Sequence, residues 1–199
     1  MNLRLLKPNF RRSFIKGEKR EPLSASAIDL RDISTLKTSK NKDIKLSILA
    51  YTENPLVILE ALNSRDWHVR LAAITHVRAD LRHIEIAIKD KSDIVRRATF
   101  KSPHITIEHI SFGLSDSQWE VRHAAISHPK ATKEHISRAI RDVNEFVRRA
   151  AVKHPNATVD HILIAVRDNS FCVRNAARSI AQEKLNKHFR GKSGQNHRY

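Results

Sequence analysis

The sequence predicts an all-α fold, arranged as about five 26-residue two-helix units, and three observations carry that prediction. The dipeptide Val-Arg recurs at Val69-Arg70, Val95-Arg96, Val121-Arg122, Val147-Arg148 and Val173-Arg174, always 26 residues apart and without a gap. The stretch HPKATKEHI, beginning at His128, returns 26 residues later as HPNATVDHI, beginning at His154. The same register aligns Ile58, Ile84, Ile110, Ile136 and Ile162, then Pro103, Pro129 and Pro155, then His83, His109, His135 and His161. Composition agrees: aromatic residues are 6% and glycines number four, while alanine and arginine are abundant, which favours helix over sheet.

The chain opens with a basic arm, residues 1–22. Its first 20 residues carry seven Lys/Arg, among them Arg4, Lys7, Arg11, Arg12 and Lys16, against the single acid Glu18. Such an arm seeks phosphate or another anionic surface. Rich in arginine and free of acid up to Gly17, it also imitates a mitochondrial transit peptide, although Pro8 argues against a continuous amphipathic helix there. Residues 23–57 read as helices that cap the array. SASAIDLRDISTLK presents Ile28, Leu30, Ile33 and Leu36 at roughly helical spacing, and KNKDIKLSILAYTENP reads as a shortened second helix ending at Asn54-Pro55.

Residues 58–189 hold the regular units. The first helix of a unit starts after Asp80, Thr106, Thr132 or Thr158, side chains able to cap orphan amides, with Glu108, Glu134 and Asp160 in the first turn. The second starts after Asp66, Ser92, Asn144 or Ser170, with Ser117-Gln118 the weaker case, and its centre is Val-Arg-x-Ala-Ala or a close variant. It stops at a His-Pro or Ser-Pro step, because the residue before proline avoids the helical region. Residues 190–199 read as a flexible polar tail.

These residues resemble two related families. Asp followed six residues later by Arg, as in Asp90/Arg96, Asp116/Arg122, Asp142/Arg148 and Asp168/Arg174, looks like the inter-repeat ladder of HEAT-type α-solenoids. The short unit with Val-Arg-x-Ala-Ala and its proline corner looks still more like the leucine-rich repeat variant family. The resemblance implies a right-handed α-solenoid in which α-helices alternate with 3₁₀ helices. It covers residues 42–181 and specifies architecture far more than function. The iron-sulfur module of that family is not expected, because no N-terminal cysteine cluster is present. Ser64 stands where the first ladder Asp would be, which leaves Arg70 with a doubtful partner and makes it, alone among the repeat arginines, a candidate phosphate contact.

Net charge is +16, and more than half of it lies in residues 1–20 and 182–199. Cys172 is the only cysteine, so the chain forms no internal disulfide or thiolate zinc site, and a reducing, cytoplasmic setting is expected. No apolar run approaches the roughly 18 residues that span a bilayer. The regular His column is not expected to bind metal, because its members recur only once per packed layer, about 8–10 Å apart, whereas Zn–N bonds are about 2 Å. Each His follows its cap by three residues, the place of a capping-box partner. No nucleophile-base pair or glycine-rich phosphate loop appears, so neither catalysis nor a cofactor is expected.

The most informative surface is the outer side of the second helices. Its first, fifth and ninth positions read Trp67/Leu71/Thr75, Asp93/Arg97/Lys101, Trp119/His123/Ser127, Glu145/Arg149/Lys153 and Phe171/Asn175/Ser179. Aromatic rows alternate with basic rows, a pattern suited to stacking bases and contacting phosphates. The alternative is purely structural: the next position alternates oppositely (His68, Ile94, Glu120, Phe146, Cys172), so each unit would place one large group in the seam. The expected partner is therefore DNA or RNA, or a nucleoprotein. The first rival is a protein scaffold for an acidic partner. A second is a HEAT-like-repeat DNA glycosylase, for which Asp93 or Glu145 would have to supply the carboxylate.

Overall fold

The computed structural model describes residues 25–193, with side chains described for residues 29–186. Twelve α-helices and no strand occur among them: α1 (Ala25–Thr38), α2 (Lys42–Tyr51), α3 (Pro55–Ala61), α4 (Trp67–Ile74), α5 (Leu81–Ala87), α6 (Asp93–Thr99), α7 (Ile107–Gly113), α8 (Trp119–Ile126), α9 (Lys133–Ala139), α10 (Glu145–Lys153), α11 (Val159–Ala165) and α12 (Phe171–Ser193). The helix starts expected after Asp66, Asp80, Ser92, Thr106, Gln118, Thr132, Asn144, Thr158 and Ser170 all fall where the cap residues place them. Helix α12 runs on to Ser193, four residues into the stretch read as tail. Both members of each unit are α-helical, including the first helices, whose Ile84, Ile110, Ile136 and Ile162 donate to carbonyls four residues back.

The even-numbered helices lie in succession, α2 on α4, α4 on α6, and so on to α12, while each odd-numbered helix from α3 onward packs on the even-numbered helix that follows it. Helices of seven residues are too short to persist alone in water. Burial holds them: Val69, Val95, Val121, Val147 and Val173 sit under the even helices, and Ile58, Ile84, Ile110, Ile136 and Ile162 under the odd ones, all in one continuous core.

The arginine ladder ties neighbouring units, with a pairing that differs from the sequence expectation. Arg96 donates Nε and Nη2 to both carboxylate oxygens of Asp116, at 2.7 and 2.9 Å, not to the carboxylate of Asp90. Its Nη1 donates instead to the backbone carbonyls of Asp90 and Lys91, at 2.7 and 3.3 Å. Arg122 grips Asp142 and Arg148 grips Asp168 in the same way. Arg70, whose partner the sequence leaves in doubt, forks onto Asp90 at 2.6 and 2.9 Å while the carbonyls of Ser64 and Arg65 take its Nη1. The expectation failed because the carboxylate comes from the following unit, and residue 64 gives Arg70 only its backbone carbonyl. Among the described residues Arg174 is the one member of the column without a carboxylate.

The histidine column completes capping boxes. The rings of His83, His109, His135 and His161 meet the caps Asp80, Thr106, Thr132 and Thr158. Each ring also reaches back to the preceding odd helix through Nε2: to the Pro55 carbonyl, Glu85 Oε1, Ser111 Oγ and Ser137 Oγ respectively. A second histidine set works at the corners, where His154 Nε2 meets the carbonyl of His128 and His128 Nε2 meets that of Ser102.

Candidate nucleic-acid interface

The even helices expose one side, and helical phase decides which of their cations reach it. Val95, Val147 and their equivalents bury in the core, and the next residue, Arg96 or Arg148, turns into the joint. One further residue along, Arg97 and Arg149 are exposed, as are Lys153 at the end of α10 and Lys101 in the turn just past α6. None of these four cations makes an ion pair or hydrogen bond among the described residues, in contrast to the fully engaged ladder arginines.

The aromatic rows are less free. Trp119 is half-buried and stacks on Phe146 of the next even helix, centroids 5.1 Å apart and planes 29° from parallel. It also meets His123 in a T-shaped contact, centroids 6.3 Å apart. Burial holds the His123 imidazole below its ordinary pKa, so it presents a neutral ring at pH 7 rather than a charge. Trp67 stacks on His68 at 3.7 Å and packs against the core. Phe171 is 66% exposed. The seam reading thus describes Trp119, whereas Phe171 stands open.

Arg70 leaves the candidate list: it is 3% exposed and bound on both edges of its fork. The carboxylate of Glu145 accepts a hydrogen bond from Ser170 Oγ across to α12, and Asp93 is half-buried in the first turn of α6. Arg4, Lys7, Arg11, Arg12 and Lys16 lie outside the described residues. No cluster of His, Cys, Asp or Glu among the described residues could hold a metal ion.

One basic feature is not evident from the sequence. A depression of about 510 Å³ between α1, α2 and the turn after α3 is lined by Lys37, Lys40, Lys42, Lys45 and Arg65, with Glu60 and Asp66 as its acids. Lys37 and Glu60 approach at 3.7 Å. The four lysines within nine residues were the available signal, hidden because residues 21–57 balance to zero overall. No family model and no curated protein matches this chain.

Proposed function

We propose that the chain is a non-catalytic α-solenoid of about five HEAT-like units that binds nucleic acid, alone or in a nucleoprotein. One observation carries the reading: Arg97, Lys101, Arg149 and Lys153 are exposed cations without a carboxylate partner among the described residues, on or just past the helices whose other arginines are fully engaged. A cation left without a counter-charge favours an anionic ligand, and a polyphosphate backbone matches two basic rows separated by one helix layer. Contact is chiefly with phosphates, because Trp119 is already stacked on Phe146. The sequence of the basic arm and the lysine-lined depression at α1–α2 add further positive charge.

The scaffold reading has its own support, since the odd helices expose Ile86, Ile107, Phe112 and Leu163. Fluorescence anisotropy separates the two. A labelled single strand of about 20 nucleotides, two turns long as duplex, should bind with an affinity that falls linearly in log salt, by about 0.7 per phosphate contact on single strands and 0.9 on duplex. Absent or salt-insensitive binding would favour the scaffold.

A further inference from the structure

The arginine column repeats one joint four times in filled form and once unfilled. In each filled joint the guanidinium is fixed by its Nη1, which donates to two backbone carbonyls, and the Nε–Nη2 edge grips a carboxylate of the following unit. Arg174 is fixed in the same way, its Nη1 donating to the carbonyls of Asp168 and Asn169 at 2.7 and 2.8 Å. Its Nε–Nη2 edge meets no carboxylate among the described residues.

A second feature lies beside it. Three residues before Arg122 stands Trp119, which stacks on Phe146, while Arg122 itself grips Asp142. One Asp and an aromatic residue four positions on therefore satisfy both groups at once. Three residues before Arg174 stands Phe171, exposed and with no aromatic partner among the described residues.

We infer that the α12 end is a docking site for a carboxylate of another protein, presented as Asp-x-x-x-aromatic at the start of a partner helix. Arg174 receives the carboxylate bidentately and Phe171 receives the aromatic ring. A guanidinium held with its fork pre-aimed loses little freedom on binding, which suits it to a planar carboxylate. The four filled joints favour carboxylate over phosphate, because each takes an aspartate. The site does not depend on nucleic-acid binding.

The test uses the full chain and a fluorescein-labelled peptide with the sequence of residues 138–150, which contains Asp142 and Phe146. The expected result is saturable binding that weakens about tenfold or more, equivalent to about 1.4 kcal/mol, with Arg174→Gln or with asparagine at the peptide's Asp142 position. Arg174→Lys should lose most of the affinity, because one ammonium cannot replace the fork, and Phe171→Ala should weaken binding severalfold. Melting curves accompany each variant; if Arg174→Gln does not fold, the asparagine peptide and Phe171→Ala still decide. No saturable binding, or equal binding of the aspartate and asparagine peptides, overturns the inference. A phosphoserine peptide binding about tenfold tighter than the aspartate form overturns the carboxylate assignment in favour of phosphate.

Discussion

Arg96 and Arg97 are neighbours in the chain and opposites in the structure, and Arg148 and Arg149 repeat the contrast on α10. The first of each pair makes four hydrogen bonds, to a carboxylate one unit ahead and to two carbonyls behind. The second stands in solvent without a counter-charge. A rotation of about 100° along the helix separates a residue that holds the array together from one available to a ligand. A count of basic residues alone therefore says little about binding: Arg70, Arg96, Arg122 and Arg148 are neutralised by aspartates in the joints, and which cations stand free on this face is set by helical phase.

The contrast is broken most severely at the joint. Asp116→Ala should cost about 3 kcal/mol, because it leaves the Arg96 fork half-buried without its carboxylate and removes the acceptor for the Gln118 amide. Denaturant unfolding checks this, and an unchanged midpoint would remove the ladder from the account. Burial raises the Asp116 pKa, but the Arg96 guanidinium and the Gln118 amide outweigh it and hold the carboxyl below its usual range.

Next in size is a packing pair inside the array. Gly113 stands where other units have Ala87, Ala139 and Ala165, and Phe100 where they have Ile74, Ile126 and Val152. A Cβ on Gly113 would lie 2.2 Å from Phe100 Cζ and 2.8 Å from Ala125 Cβ. Gly113→Ala should destabilise by about 1–2 kcal/mol despite the better helix propensity of alanine. Adding Phe100→Ile should restore most of the loss. Additive destabilisation in the double variant would contradict the pairing.

Acid acts more diffusely. His76, His128, His135 and His161 each accept a backbone N–H at Nδ1, from Arg78, Lys130, Thr132 and Thr158 respectively. A second ring proton would face that donor. Burial is the main cause that holds all four pKa values below the ordinary imidazole value. The unfolded chain then takes up protons first as pH falls through about 6.5, so stability is full above that pH and declines below it, toward the folded pKa values. A melting temperature that is flat from neutral pH to about 5 would contradict the assignment.

Much of this was legible in the sequence, because caps are local. Thr106, Thr132 and Thr158 each had to satisfy amides within three residues, and the structure starts a helix after each of them. The ladder residues were legible as a set, but their pairing was not. Six residues separate Asp90 from Arg96 within a unit, whereas the contact runs 20 residues forward, across the joint, and only three-dimensional stacking distinguishes the two. The stacking of Trp119 on Phe146 was hidden for the same reason: the two occupy different positions of successive units and meet only when the helices lie side by side. The lysines around the α1–α2 depression were visible individually and lost in a regional average.

At the exposed face the effect on stability should be smallest. Arg97→Glu with Arg149→Glu should change unfolding free energy by no more than about 0.5 kcal/mol, since neither side chain touches a joint. The same double variant gives the most direct test of the proposed function: the slope of log affinity against log salt for a labelled single strand, measured beside the wild-type chain. The expected result is an unchanged melting curve, strongly reduced affinity at low salt, and a slope shallower by at least about 1.4, the loss of two phosphate contacts on a single strand. Wild-type affinity and slope in a normally folded double variant would contradict it and leave the protein scaffold as the better description.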